Sequence, residues 1–433
     1  MQAIRAMKSF LIIWAGQSVS LMGSGLTRFA LGVWIFEETG SVTQFSLIFL
    51  FALLPNILIS PLAGTLVDRW PRRHVMVSSD TGAGLTTLAL VALVLSGDLA
   101  AWHVYLIVAA NALFSAFQEP AYAAAMPMLV PKEYLDRANG FVQIDLAISR
   151  LIVPAVAGFL FTTIGLQGIM LIDAVTFFFA IITLFLVPFP PLVPTTETPE
   201  RGSVWQEMAY GWRYLRARPG LMALIWFMTL TFLVMGGATA TFTPLVLSVT
   251  TPQILGFIWS VAGVGIFISS FLISARGLFK RRIYGVLGFG LLMGLGTAVS
   301  GIHPSPIIIG LGLFLVFVSL PVFQASSQTL LQSKVAPDVQ GRVFALRNMI
   351  TTLPLPFVFI FVGSVTDRVL EPWLSVEGAL AGSVGRLIGV GAGRGIGFLF
   401  VLLGLFLIVV AVGGYLYPQL RLVEDGLPDV VNV

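Results

Sequence analysis

Twelve apolar segments of roughly 20 or more residues follow one another along this chain of 433 residues. A segment of that length can cross the hydrocarbon core of a bilayer as a single helix. Only 10% of the residues are charged, against roughly 25% in a soluble domain. The sequence therefore predicts an all-α polytopic membrane protein with twelve transmembrane helices. Their approximate spans are residues 9–36, 42–67, 74–96, 102–130, 137–165, 167–188, 219–248, 253–276, 283–301, 304–332, 342–368 and 394–417.

One long polar connection, between the sixth and seventh segments, divides the chain into two halves of six helices each. In the second part of this connection, Val204, Met208, Trp212 and Leu215 fall on one helical face, which predicts a short helix lying in the membrane interface. The predicted domains are a six-helix bundle over 1–188, a cytoplasmic linker over 189–218, a second six-helix bundle over 219–417 and a cytoplasmic tail over 418–433.

The basic residues predict the orientation of the chain. With the N-terminus inside, nineteen of the 24 lysines and arginines fall in cytoplasmic segments, and only Arg368, Arg386 and Arg394 fall outside. Positively charged loops stay on the cytoplasmic side of a membrane. We therefore expect a multi-pass protein of the cell membrane with both termini in the cytoplasm. The cytoplasmic set is Arg5, Lys8, Arg69, Arg72, Arg73, Lys132, Arg137, Arg201, Arg213, Arg216, Arg218, Arg276, Lys280, Arg281, Arg282, Lys334, Arg342, Arg347 and Arg421.

The two halves repeat several residues at a nearly constant offset of 205 to 209 positions. This predicts two pseudo-symmetric six-helix halves related by an axis along the membrane normal. The matched positions are Arg72-Arg73 with Arg281-Arg282, Pro131–Arg137 with Pro337–Arg342, and Gln118 with Gln324.

The sequence carries no feature of an enzyme or of a metal site. It has no cysteine, and its three histidines, His74, His103 and His303, lie in separate segments. The glycine-rich run Gly389–Gly395 does not fit the spacing of a nucleotide-binding loop. The net charge of +4 is expected to face lipid headgroups rather than nucleic acid. We therefore expect no metal, no bound cofactor and no nucleic-acid partner.

Polar residues inside membrane helices are costly and mark functional positions. The first and fourth helices each carry such residues at spacings of three and four. The two sets either line a shared water-accessible cavity or form hydrogen bonds between helices, and we favour the cavity. The first set is Gln17, Ser20, Ser24 and Arg28, and the second is Asn111, Ser115, Gln118 and Tyr122, with Glu119 beside it.

The fifth helix places two charged residues on opposite faces. Asp145 and Arg150 cannot both face one cavity through a straight helix, because successive residues rotate by about 100°. We favour Arg150 for the cavity and expect the other residue to pair with a neighbouring helix. Asp173, early in the sixth helix, is compatible with a structural or a functional role.

Glu119 is the acid that we nominate for proton coupling. A carboxyl group in an apolar, partly dehydrated site can bind and release protons near neutral pH. The alternative is a permanent ion pair with Arg28 or Arg150.

The connection after the second helix concentrates one acid and three arginines between two apolar segments. It reads Gly64-Thr65-Leu66-Val67-Asp68-Arg69-Trp70-Pro71-Arg72-Arg73. This G-x-x-x-D-R-x-x-R-R pattern resembles the gating latch of major facilitator superfamily transporters. We expect Asp80, seven residues beyond the last arginine of the latch, to pair with the latch arginines. The alternative for the arginines is that they only follow the positive-inside rule.

The resemblance implies the major facilitator fold and a role for each latch residue. In the outward-open state, Asp68 would lie by the positive N-terminal end of the eleventh helix, near Asp338–Arg342. Arg69, Arg72 and Arg73 would add contacts to the other half or to lipid headgroups. In the second half, Gly277 occupies the position that corresponds to Asp68 in the first half. Only the first half can therefore supply the acid of the latch.

Several further stretches resemble one branch of this superfamily, the macrolide-efflux and enterobactin-export proteins among the drug:proton antiporters. Pro154-x-x-x-Gly158 resembles the fifth-helix antiporter motif, although Val153 replaces the usual preceding glycine. The other stretches are Glu119-Pro120-Ala121-Tyr122, Pro127–Pro131, Arg137-Ala138-Asn139-Gly140, Pro154–Gly158, Ile172–Phe177 and Tyr214–Pro219.

The resemblance implies export of a small amphipathic molecule, such as a drug, a macrolide or a siderophore, by alternating access in exchange for protons. Its partners would be the small-molecule substrate, protons and the lipid bilayer, with the proton gradient in place of a cofactor. We expect a monomer. The alternatives are an uptake transporter or lipid flippase of the same fold, and a membrane scaffold or sensor that transports nothing.

The latch hypothesis predicts the effect of removing its acid. Asp68→Asn should leave the protein inserted and folded but cripple transport, because the charge that holds the latch is lost. An efflux assay on cells that express the variant tests this, and normal efflux would remove the hypothesis.

Overall fold

A computed structural model describes residues 7–189, 204–277 and 279–426, and throughout these ranges the chain is helical without a strand. Eleven helices in the described ranges are long and apolar enough to cross a membrane. The helices are α1 Lys8–Thr39, α2 Val42–Arg69, α3 Arg72–Ser96, α4 Ala101–Leu129, α5 Leu135–Leu151, α6 Val153–Leu186, α7 Val204–Arg216, α8 Pro219–Leu247, α9 Pro252–Arg276, α10 Arg282–Ile302, α11 Pro306–Lys334, α12 Pro337–Thr352, α13 Leu355–Val365, α14 Glu371–Trp373, α15 Val384–Ile388, α16 Arg394–Leu416, α17 Pro418–Arg421 and α18 Val423–Gly426.

The twelfth span is contained in α6, which reverses direction at Gly165. Val153 is a close neighbour of Gly25 in α1, and Asp173 is a close neighbour of Gly23, less than one turn away. Twenty residues of straight helix would separate the two α6 positions by about 30 Å. Gly165 has φ 67° and ψ −175°, which is not helical. Residues 153–164 and 166–186 are therefore two antiparallel limbs, and the predicted all-α polytopic fold is confirmed.

Prolines break the fifth and eleventh spans at similar distances from the start of each span. The fifth span consists of α5 and the first limb of α6, with the break at Ile152, and Pro154 cannot donate a backbone hydrogen bond there. The eleventh span runs over Val339–Trp373 and is broken between α12 and α13, beside Pro354. Both helices resume at once, so each break redirects the helix without exposing a long loop.

The described helices group into two units. The first contains the described residues up to Phe189 together with Thr250–Ser260, and the second contains the remainder. In the first unit, α1 packs closely on the second limb of α6, where Gly16 meets Thr183. In the second, α10 packs closely on α11 and α16, where Gly296 meets Gly312. Small residues allow such close approach of membrane helices.

The helix α7 lies in the stretch where the sequence predicts an interfacial helix, and it packs on the second unit. Leu215 is fully buried, whereas Trp212 is exposed. The hydroxyl of Tyr214 accepts a hydrogen bond from the backbone N–H of Ala336 at 3.2 Å, just before α12. The guanidinium of Arg342 lies 5.2 Å from the ring centre of Tyr210. These contacts attach α7 to the start of α12.

The glycine-rich segment between the last two spans is anchored at the start of α16. The carboxylate of Glu371 accepts hydrogen bonds from the backbone N–H groups of Gly393 at 3.2 Å and Ile396 at 3.0 Å. Arg394 is 2% exposed and donates from Nη2 to the carbonyl oxygen of Gly301 at 2.7 Å. An acid at a helix N-terminus satisfies backbone N–H groups that have no partner within the helix.

The reversal at Gly165 leads to a prediction about stability. Gly165→Ala should lower the free energy of unfolding by about 1–3 kcal/mol, because only glycine adopts this backbone conformation without strain. A β-carbon there would meet no neighbouring atom, so the cost comes from the backbone alone. Thermal unfolding of the purified protein in detergent measures it.

Gly140→Ala is the matched control. Gly140 lies inside α5, and a β-carbon there also meets nothing within 4 Å. Alanine is favoured over glycine in a helix, so this variant should unfold at the wild-type temperature or above it. Equal unfolding temperatures for the two variants would contradict the proposed role of Gly165.

Candidate functional site

The latch stretch is mostly helical. The helix α2 continues through Arg69 and α3 begins at Arg72, so only Trp70 and Pro71 connect them. Gly64, Asp68 and Arg69 lie in the last turns of α2, but their side chains are outside the part of the chain that the structure describes. The role of Asp68 therefore stays a prediction.

Arg72 and Arg73 both donate to backbone carbonyls. Arg72 Nη1 donates to the carbonyl oxygen of Val67. Arg73 donates from Nε to the carbonyl oxygen of Leu184 at 3.1 Å and from Nη2 to that of Phe185 at 3.2 Å. The carbonyl groups of Leu184 and Phe185 belong to the last turn of α6, where a helix has unpaired acceptors and a partial negative charge. Arg73 thus ties the start of α3 to the end of α6.

Asp80 does not pair with Arg72 or Arg73. It accepts a hydrogen bond from Gln17 Nε2 at 2.7 Å, and Gln118 Nε2 donates to Gln17 Oε1 at 3.0 Å. Among the described residues, no ion pair joins Asp80 to either Arg72 or Arg73. The physical reason is depth, because seven residues of helix place Asp80 about 10 Å beyond Arg73. The expected pairing with Arg72 and Arg73 is wrong, and a network across α1, α3 and α4 replaces it.

Arg28 lies near two acids of different accessibility. Asp173 and Glu119 are both within electrostatic range of its guanidinium. Asp173 is 3% exposed and accepts a hydrogen bond from Ser24 Oγ at 3.2 Å. The side chains of Arg28 and Glu119 are exposed, as is that of Ser115 one turn before Glu119. Arg28 therefore lies near one buried acid, held by Ser24, and one exposed acid.

Asp145 and Arg150 differ in burial. Asp145 is buried, with Ser18 and Trp14 of α1 facing its carboxylate and Tyr122 nearby. Arg150 is exposed on the opposite side of α5. The remaining candidate, Asn111, donates from Nδ2 to the carbonyl oxygen of Ile107 in its own helix at 3.2 Å.

Pro154 and Gly158 lie at a close helix crossing in the first unit. A β-carbon on Gly158 would collide with the backbone carbonyl of Pro252, and one on Gly256 would collide with that of Pro154. Gln253 Nε2 donates to Thr162 Oγ1 at 2.6 Å along the same crossing. The motif remnant therefore brings the first limb of α6 against the start of α9.

The second unit contains a cavity of about 490 Å³ between α8, α11 and α12. One wall is apolar, with Met228 and Phe232. The opposite wall is polar, and at its centre Arg347 donates from Nη1 to Gln328 Oε1 at 2.6 Å and from Nη2 to Asn348 Oδ1 at 2.8 Å. No described acid forms an ion pair with Arg347. The cavity thus offers an apolar face and a cationic, hydrogen-bonding face.

Sequence reasoning missed this cavity because it assigned Arg347 to a cytoplasmic segment. The helix α12 begins at Pro337, so Arg347 lies almost three turns inside it. The sequence does contain a sign of this cavity, because polar residues recur in two helices at spacings of three and four positions, as they do in the first helix. The members are Gln324 and Gln328 on α11, and Arg347, Asn348, Thr351 and Thr352 on α12.

A bundle of apolar spanning helices with polar and charged groups held inside it is typical of polytopic membrane transporters. The sequence pattern of the Major Facilitator Superfamily matches residues 13–358, most of the chain. The chain belongs to this superfamily. Its members are transporters and not enzymes, as the sequence predicts.

Relatives and solved structures agree with this assignment. Macrolide efflux protein A of Streptococcus pyogenes is 30% identical over 389 residues, covering 86% of this chain and 93% of that protein. Multidrug efflux pump Tap of Mycobacterium tuberculosis is 25% identical over 378 residues, covering 83% and 87%. The fold is similar to the inward-facing crystal structure of a bacterial homolog to the human lysosomal transporter Spinster, with a TM-score of 0.71, 14% identity and 98% coverage of both chains.

The network around Asp80 leads to a prediction of coupling between two substitutions. Gln17→Leu should destabilise the protein, because the carboxylate of Asp80 loses its donor inside the membrane. In an Asp80→Leu background, Gln17→Leu should lower the free energy of unfolding by about 1 kcal/mol less than it does in the wild type. Denaturant titration of the wild type, the two single variants and the double variant in mixed micelles completes this double-mutant cycle. Additive free energies would show that the two side chains do not interact.

Proposed function

We propose that the protein exports a small amphipathic molecule across the cell membrane in exchange for protons, by alternating access. Two relatives named for efflux of macrolides or of multiple drugs support export. The observation that carries the coupling is the arrangement of Arg28, Asp173 and Glu119 inside membrane helices.

Arg28 and its two acids have the features of a proton-dependent switch. Asp173 is buried and held by Ser24, so its position near Arg28 is fixed. Glu119 is exposed, and in this proposal it is the acid that exchanges protons with water. When Glu119 is ionised, its charge attracts Arg28. When Glu119 is protonated that attraction is lost, and the guanidinium is free to respond to Asp173 alone or to a substrate.

The cavity of the second unit supports the proposed substrate class. A cavity of about 490 Å³ lies within the range of small-molecule sites. Its Met228 and Phe232 wall suits an apolar surface, and Arg347 with its amide partners suits carbonyl, hydroxyl or anionic groups. A molecule with one apolar face and one oxygen-rich face matches both walls. We propose that Arg347 and Gln328 contact the polar face of the substrate.

The remaining expectations form part of the same proposal. Both termini and the latch face the cytoplasm, and Asp68 with Arg72 and Arg73 sets the balance between transport states. The bonds of Arg73 to the end of α6 support a positioning role for that residue. The protein works as a monomer in the bilayer, with a proton gradient as its only energy source.

A strain that lacks the protein provides the first test. Its susceptibility to a panel of amphipathic compounds should rise, and re-expression should restore efflux. A proton uncoupler should then abolish that efflux, and no other energy source should restore it. Uncoupler-insensitive efflux would reject proton exchange, and accumulation that depends on the protein would indicate uptake instead.

Glu119→Gln should abolish uphill export while the purified protein keeps its unfolding temperature, because the amide cannot release a proton. Substrate-dependent proton movement in inverted membrane vesicles measures the effect. Glu38→Gln is the control, since Glu38 is also exposed but lies at the end of α1. If both variants pump protons at the wild-type rate, Glu119 is not the coupling acid.

A further inference from the structure

A second cavity, of about 500 Å³, opens on the surface of the second unit between the start of α8 and the end of α16. Its walls are mainly apolar and include Met222, Trp226, Leu230 and Gly413, with Arg216 and Tyr417 at one end. None of these residues belongs to the proposed transport site. The cavity combines an apolar groove with one cationic end.

The cationic end is not neutralised by the described part of the chain. Arg216 is exposed and makes no hydrogen bond, ion pair or ring contact with any described side chain. The neighbouring Arg218 stacks on the ring of Tyr214, with its guanidinium carbon 3.7 Å from the ring centre. Arg216 therefore presents a full positive charge at the mouth of the groove.

The described acids near this end are engaged elsewhere. Glu424 accepts hydrogen bonds from the backbone N–H groups of Arg282 at 3.1 Å and Ile283 at 3.0 Å, at the start of α10. Asp425 forms an ion pair with Arg281 at 3.4 Å. The ligand that suits Arg216 is thus an external anion.

The depth of the groove corresponds to one leaflet of a bilayer. Along α8, Pro219 and Leu230 are separated by eleven residues, or about 16 Å of helix. This is about half of the 30 Å hydrocarbon core. Trp226 and Tyr417 are both partly exposed at the groove, and such side chains concentrate at the level of lipid headgroups.

We propose that this groove binds one anionic phospholipid, with its phosphate on Arg216 and one acyl chain between α8 and α16. The charge of Arg216 matches the headgroup, the apolar walls match the chain, and the depth matches a single leaflet. A zwitterionic lipid can fill the same groove but gains less from Arg216. The inference is independent of the direction, substrate and coupling of transport.

Two substitutions test separately how the headgroup and the acyl chain contribute to lipid binding. Arg216→Gln removes the charge, and the control Arg213→Gln removes an exposed arginine of the same helix that does not line the groove. Gly413→Leu places a side chain in the groove, where a β-carbon meets nothing within 4 Å. Its control is Gly288→Leu, at an exposed helical glycine outside the groove with equally open space.

The experiment titrates delipidated, full-length protein in detergent with phosphatidylglycerol or with phosphatidylcholine of the same acyl chains. Native mass spectrometry measures binding, and unfolding temperature provides a second reading. Wild type and both controls should prefer phosphatidylglycerol. Arg216→Gln should weaken phosphatidylglycerol binding about fivefold and phosphatidylcholine binding by a smaller factor. Gly413→Leu should weaken binding of both lipids.

Three results would overturn the proposal. The first is equal affinity of the wild type for the two lipids. The second is a loss in the Arg213→Gln control as large as that in Arg216→Gln. The third is unchanged lipid binding in Gly413→Leu, and if efflux fell in that variant, the occupant of the groove would be the transported molecule instead.

Discussion

The hydrocarbon core of a bilayer offers no hydrogen-bond partner, and this constraint governs the whole structure. Every backbone group inside it must be satisfied within a helix, so even the proline breaks at Pro154 and Pro354 are confined to one or two residues. A polar side chain inside it must find a partner on another helix or face water. Gln17, Asp80 and Gln118 take the first course, while Glu119 and Arg28 are exposed. The first group holds three helices together, and we propose that the second responds to protons or substrate.

The elements that depend on the local sequence could be predicted. Twelve apolar runs and the boundary near Gly165 follow from length and hydropathy, since each span must cover the same thickness. The two halves also share a structural feature that is not among the residues matched at offsets of 205 to 209 positions. The breaks beside Pro154 in the fifth span and Pro354 in the eleventh are separated by 200 positions.

The partner of a polar residue could not be predicted in the same way, because it depends on which helix lies opposite. Asp80 lies two turns from Arg73 along its own helix, but the residue facing it is Gln17, 63 positions away. The sequence predicts a cytoplasmic Arg347 because a charge near the end of an apolar run is normally assigned to the loop, whereas Arg347 lies within the span Val339–Trp373. The three-dimensional wall formed by Gln328, Arg347 and Asn348 combines two helices, and neither helix alone reveals it.

The arginines inside the helices show how the partner decides the role. Arg73 and Arg394 donate to carbonyl oxygens at the ends of neighbouring helices. Those acceptors cannot move without unwinding a helix, so both arginines are held in position. Arg347 donates to amide side chains, and Arg28 is exposed beside an exposed acid. Side-chain partners can rotate away and exchange for a ligand at low cost. We therefore propose that a substrate or a proton acts on the protein through Arg28 and Arg347.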